Sequence, residues 1–156
     1  MTDIALYCPL IPQNTGNIIR LCANTGAGLH LIHPLGFAWD DRRLKRSGLD
    51  YHEFARVRHH DDWHAFISAM QGRRIFALTT RASQGFYATT FREDDVLLFG
   101  NESKGLPDTI HQTLGDHRLR LPMCADSRSL NLANTVAITL YETIRQHLSD
   151  PANPSL

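Results

Sequence analysis

Val96-Leu97-Leu98-Phe99-Gly100-Asn101-Glu102-Ser103-Lys104-Gly105-Leu106-Pro107 reads as a buried strand that runs into a polar loop bounded by glycines. Pro107 suits the first turn of a following helix, where its missing N–H is no loss. Loops of this kind lie at the carboxyl ends of strands, where open α/β sheets bind ligands. The loop fits neither common nucleotide fingerprint. A dinucleotide loop needs glycine where Glu102 stands, and a phosphate loop needs Lys-Ser or Lys-Thr where Leu106-Pro107 follows Gly105. A glutamate here also repels a pyrophosphate. The reading is a loop for a nucleoside-like ligand that carries no phosphate at this point.

Strand and helix signals alternate on both sides of this stretch. Ile4–Tyr7, Leu29–Ile32, Ile75–Leu78, Val96–Phe99 and Leu119–Leu121 read as strands, with a weaker strand at Phe54–Val57. Helices are expected at Thr15–Thr25, Asp41–Ser47 and Asp61–Met70, and from near Ser129 to Ser149. The last carries an apolar stripe of Ala133, Val136, Ala137, Leu140, Ile144 and Leu148. The alternation predicts an α/β fold, a mostly parallel sheet with helices on both faces. One domain over 1–148 is expected, with a disordered tail over 149–156.

The 156 residues balance 16 Lys and Arg against 16 Asp and Glu, so net charge points to no polyanionic partner. Any such argument rests on local clusters. Three scattered cysteines and no C-x-x-C argue against a disulfide framework or a Cys-rich zinc site, and a reducing cytosol is the expected compartment. Asp3 and the lack of a basic leader argue against a signal peptide. No apolar run approaches the roughly 20 residues of a membrane span. His60 and His64 stand four apart, but no third ligand is evident, so no metal is expected.

Three polar blocks stand in this apolar frame. In the first, Asn17, Arg20 and Asn24 share one helix face while Ile18, Leu21 and Cys22 face inward. Such a face can grip a phosphate or hydroxyl oxygen; it can equally be a solvated face with Asn14 as N-cap. The second is the Gly100–Pro107 loop. A plain strand-to-helix turn fits it less well, because a buried Glu102 is costly unless paired. The third is Leu121-Pro122-Met123 followed by Arg128-Ser129-Leu130-Asn131-Leu132-Ala133-Asn134. Ser129 can N-cap the final helix, and Asn131 and Asn134 are poor helix formers that ask for a reason.

Together the blocks resemble the SpoU-type branch of the SPOUT methyltransferases, through Asn14-x-x-Asn17-x-x-Arg20, Asn101-Glu102-x-x-Gly105-Leu106, and Pro122-Met123 with Ser129-Leu130-Asn131. The segment Gly36–His52 looks like the single-domain TrmL (YibK) subfamily, which methylates the wobble ribose of tRNA. Ala133 departs from the pattern, since relatives often carry serine there. The resemblance implies a deep C-terminal trefoil knot and an obligate homodimer with the first and last helices at its interface. It implies S-adenosylmethionine held by Leu78, Thr79, Thr80, Gly100, Asn101, Glu102, Gly105, Leu121, Met123 and Ser129. It implies methyl transfer to the 2′-oxygen of cytidine or uridine 34 in the tRNA anticodon loop, with leucine tRNAs as the expected acceptors.

In that scheme Arg20 stabilises the developing alkoxide, Glu102 orients Arg20 or Asn17, Asn131 fixes the loop or ribose, and Tyr141 orients groups across the dimer. An arginine stays protonated, so a stabilising guanidinium is physically easier than an arginine base. Arg42, Arg43, Lys45 and Arg46 would contact tRNA phosphates, with Arg56, Arg58, Arg73 and Arg74 adding to them; a solvated basic face is the alternative. Three rival functions stay open: the same chemistry on another tRNA or rRNA ribose, a non-catalytic RNA-binding module, and a flavodoxin-like phosphate-ligand enzyme.

Overall fold

The computed structural model describes residues 1–39 and 56–148. The basic segment holding Arg42, Arg43, Lys45 and Arg46 and the tail at 149–156 lie outside them. The described chain runs β1 (Asp3–Tyr7), α1 (Pro12–Thr25), β2 (Leu29–Ile32), β3 (Val57–His60), α2 (Trp63–Ala69), β4 (Ile75–Leu78), β5 (Gln84–Gly85), β6 (Val96–Phe99), α3 (Asp108–Leu114), β7 (Arg118–Arg120) and α4 (Leu132–Leu148). Seven strands form one sheet in the order β3-β2-β1-β6-β4-β7-β5, and every pairing is parallel. The mostly parallel α/β fold read from the sequence is the fold found.

The central strands are apolar on both faces, as parallel strands covered by helices must be. Ile4, Leu6, Leu29, Leu31, Phe76, Leu78, Leu97 and Phe99 pack into one core with Ile18, Ile19 and Cys22 of α1 and Val136, Leu140 and Ile144 of α4. Their neighbours Ala5, Ile32, Ile75, Ala77, Val96 and Leu98 pack into a second core with Phe66 of α2 and Ile110 of α3. The period of two thus sorts each strand between two helical layers. Burying one such Leu or Ile contributes about 1.5–3 kcal/mol. Burial pushes the Cys22 thiol up to about 12, which leaves it an inert core side chain.

Several boundaries differ from expectation. α1 begins at Pro12, three residues before Thr15, with extended Ile11 in front and no side-chain cap of its own. Asn14 is therefore inside the helix and is not its N-cap. α4 begins at Leu132, and Asn131 caps it, its Oδ1 accepting the Asn134 N–H at 3.2 Å. Ser129 precedes the helix and is not that cap. The weak strand is found at Val57–His60, with Phe54 and Ala55 outside the described residues. Its apolar pattern is poor because Arg58 and His59 face solvent, and its anchor is the buried His60 ring stacked on His30. His60 ends a strand and His64 lies on α2, so the two do not share a helix face.

Candidate functional site

The carboxyl ends of β4, β6 and β7 open into one cleft of about 650 Å³, within the range of small-molecule sites. Its apolar walls include Leu78, Phe99, Leu106, Leu121 and Leu132. Leu78, Thr79, Thr80, Gly100, Asn101, Glu102, Gly105, Leu121, Met123 and Ser129 all line it, as does Asn131. Three segments distant in sequence therefore meet where the alternation of strands and helices places a ligand.

The Gly100–Leu106 loop is folded on itself. Asn101 N–H donates to the Gly105 carbonyl at 3.2 Å and Gly105 N–H to the Asn101 carbonyl at 3.0 Å. The Asn101 side-chain oxygen accepts the N–H groups of Ser103 at 3.1 Å and Lys104 at 2.7 Å. A Cβ on Gly100 would stand 2.2 Å from the Gly105 carbonyl carbon, so the turn admits glycine alone. Ser103, Lys104 and Gly105 amides, which a phosphate loop would aim at its ligand, are engaged inside the turn. The loop is no phosphate cradle, in agreement with the failed fingerprints.

Glu102 reaches away from the loop toward α1. Its carboxylate accepts the N–H of Leu10 at 2.8 Å, the N–H of Ile11 at 3.2 Å and the Asn14 side-chain amide at 3.0 Å. A carboxylate at a helix N-terminus satisfies orphan donors and complements the helix dipole. The Asn14 oxygen in turn accepts the Asn131 side-chain amide at 3.1 Å. Glu102, Asn14 and Asn131 are thus one hydrogen-bonded chain joining the three polar blocks. The expected contact of Glu102 with Arg20 or Asn17 is corrected here, because the N-terminal turn of α1 and Asn14 take up the carboxylate. Asn14, read in the sequence as the start of a motif and a possible N-cap, was given no part in the site, yet it joins Glu102 to Asn131. Its signal was present, since a buried amide inside an apolar helix needs a partner.

Arg20 and Asn17 lie on the exposed face of α1, and Tyr141 on the exposed face of α4, with none of them among the cleft's lining residues. The structure of one chain does not bring them to Asn131. Arg73 and Arg74, expected at a phosphate surface, are half-buried and taken up by acidic partners of the fold. Arg73 pairs with Asp3 at 2.6 Å, and Arg74 grips Asp95 through Nε at 2.8 Å and Nη2 at 2.6 Å. Arg56 donates to the Gly26 carbonyl. Beneath the cleft, burial pushes the His111 imidazole below its ordinary value, with the Arg81 and Arg118 charges adding to the effect. The Arg81 guanidinium, hydrogen-bonded to Asp108 at the rim, lowers that carboxyl. Among the described residues no group of three or more His, Cys, Asp or Glu is placed to hold a metal ion.

Comparison with known proteins agrees with this geometry. The SpoU rRNA Methylase family matches residues 1–141. A tRNA (cytidine(34)-2'-O)-methyltransferase from Methylovorus glucosotrophus is 56% identical over 94% of this chain and 96% of its own. A solved structure giving insights into the 2-OH methylation of C/U34 on tRNA is 46% identical with a TM-score of 0.86, covering 94% of this chain and 95% of that one. An AdoMet-bound rRNA methyltransferase from Sinorhizobium meliloti is 27% identical with a TM-score of 0.80, covering 95% of this chain and 57% of that one. With its three polar blocks gathered at one cleft and nearly its whole length matched, the chain belongs to the SpoU methylase family.

Proposed function

We propose that this protein transfers a methyl group from S-adenosylmethionine to the ribose 2′-oxygen of the wobble nucleotide, cytidine or uridine 34, of tRNA. The observation that carries the reading is the cleft itself, with apolar and polar walls together and a loop that is no phosphate cradle, built by the three blocks that mark the family. Identity of 56% with a tRNA (cytidine(34)-2'-O)-methyltransferase supports the substrate, and the 27% identical AdoMet-bound relative supports the cofactor. A phosphate-free nucleoside with an aliphatic tail fits such walls. The bound cofactor supplies an electrophilic methyl carbon on a sulfonium.

The chain's own residues do the rest. The Asn101-braced loop and Leu78, Leu121 and Met123 hold and orient the cofactor. A ribose hydroxyl is a poor nucleophile until its proton leaves, and the developing alkoxide needs a cationic partner. Arg20 is that partner, with an RNA phosphate receiving the proton. Arg20 stands outside the lining of its own chain's cleft, so the complete site takes it from a second copy. Ile138, Tyr141 and Leu148 are exposed along α4, an apolar face suited to a homodimer interface. Tyr141 then orients groups across that interface. Anticodon-loop recognition, aided by the basic segment at 42–46, belongs to the same reading, because a single-stranded loop offers its 2′-hydroxyls without unwinding. So does a C-terminal trefoil knot, supported by family membership and by β7 lying between β4 and β5.

The test is transfer of labelled methyl from S-adenosylmethionine to total tRNA, followed by nucleoside mapping. Label in 2′-O-methylated nucleoside 34 is expected. Label at another ribose, or in rRNA alone, overturns the assignment.

A further inference from the structure

Four cations and one carboxylate line the cleft: Arg81, Lys104, Arg120 and Arg128 against Glu102. The whole chain has equal numbers of cationic and anionic side chains, 16 of each, so this end of the sheet is a local departure from balance. Arg81 is matched by Asp108 at 2.6 Å, and Glu102 is taken up by α1. Lys104, Arg120 and Arg128 are exposed, and their side chains have no ion-pair or hydrogen-bond partner among the described residues. They come from three separate segments: the loop after β6, the last residue of β7 and the loop leading to α4.

Like charges gathered on one rim repel, so the fold gains nothing from this arrangement. The cofactor does not explain it. A sulfonium and an ammonium against one carboxylate make that molecule a net cation, which the rim repels. The remaining ligand is the polynucleotide, which brings a negative charge with every nucleotide.

We propose that Lys104, Arg120 and Arg128 form a phosphate-binding rim that grips the RNA backbone on either side of the nucleotide whose ribose enters the cleft. The inference rests on the reading of the protein as an RNA 2′-O-methyltransferase. Phosphate contacts fix register and orientation without reading sequence. The rim therefore positions the substrate ribose and leaves the choice of base to other contacts.

The experiment compares wild type with K104Q/R120Q/R128Q and the three single variants. It measures tRNA affinity across salt concentration, affinity for S-adenosylhomocysteine, KM for both substrates, and melting temperature. About 0.7 slope units per phosphate on a single strand predict a salt dependence shallower by roughly 2 units in the triple variant and by roughly 0.7 in each single one. KM for tRNA should rise about tenfold or more in the triple variant, while S-adenosylhomocysteine affinity and melting stay at wild-type values. An unchanged salt slope in a folded triple variant overturns the rim; if the triple variant fails to fold, unchanged slopes in the singles do so. An equal loss of S-adenosylhomocysteine affinity also overturns it, because the cations then serve the cofactor's carboxylate. Wild-type protein that neither binds nor methylates tRNA overturns the underlying reading instead, and that arm is measured first.

Discussion

The two ends of the parallel sheet handle charge in opposite ways. At the amino ends, Asp3 opens β1, Arg73 and Arg74 precede β4, and Asp95 precedes β6. Their charges close on one another. Asp95 is fully buried and accepts from Arg74 at 2.6 and 2.8 Å and from the Arg92 N–H at 2.7 Å. Burial alone would raise the Asp3 carboxyl, but hydrogen bonds from His30, Arg73 and the Gly28 N–H outweigh it and hold the group well below the usual carboxylate range. At the carboxyl ends, Lys104, Arg120 and Arg128 stand exposed and unmatched among the described residues. Charge is closed into pairs at the amino end, whereas at the carboxyl end, where the cleft opens, only Arg81 of the four lining cations has an acidic partner among the described residues.

Breaking the amino end should give the largest effect on stability. Arg74→Ala leaves the Asp95 carboxylate buried without its partner, a loss of about 3–5 kcal/mol. Urea unfolding checks this. If the variant folds with less than half that loss, Asp95 is not the structural charge described here. Cofactor affinity below the unfolding transition should be unchanged.

In the proposed chemistry, Arg20→Ala should lower methyl transfer by roughly 10²–10³-fold, the worth of a donor to a developing oxyanion. S-adenosylhomocysteine affinity should stay within a few-fold, since Arg20 is not among the cleft's lining residues. Near-normal turnover in single-turnover assays would remove Arg20 from the mechanism. Asn14→Ala should act differently. It strands the Asn131 amide and one Glu102 contact, a loss of about 1–3 kcal/mol, and so weakens cofactor binding and turnover together. Equal wild-type values for both would show that the Glu102–Asn14–Asn131 chain does not hold the cleft.

The smallest expected effect is a pH dependence. Burial, with the His30, Arg58 and His59 charges, holds His60 below the ordinary histidine value, against a weaker opposing effect of Asp61. The unfolded chain therefore binds the proton first as pH falls. His60's contribution is complete above about pH 6.5 and is lost as pH falls below it. Its slope cannot exceed about 1.4 kcal/mol per pH unit. Equilibrium unfolding between pH 7.5 and 5.5 measures it, and His60→Gln should flatten it in part, leaving the share of His111.

Much of the fold was legible because apolar runs such as Val96–Phe99 have a single use in a sheet covered on both faces. Strand–loop order made the Gly100–Pro107 loop legible as a ligand loop, while its meeting with Leu78–Thr80, Leu121, Met123 and Ser129 came from the family resemblance. What escaped were features decided by remote partners. Asn14 and Glu102 are 88 positions apart, and no local pattern joins them. Arg73-Arg74 looked like a phosphate surface because a dipeptide of cations carries no sign of the aspartates that close on it. β5, two exposed residues paired to β7, has too little side-chain pattern to be seen at all.

The capping of α1 by Glu102 has a consequence for the order of folding. A helix of 14 residues is usually a local structure. Here the Leu10 and Ile11 amides at its entrance find their acceptor 92 and 91 positions along the chain. That acceptor arrives only after β6 has inserted beside β1. The turn entering α1 is therefore a late, high-contact-order event, although most of the helix can form early. In hydrogen exchange these two amides should gain protection together with β6, and after the middle of α1.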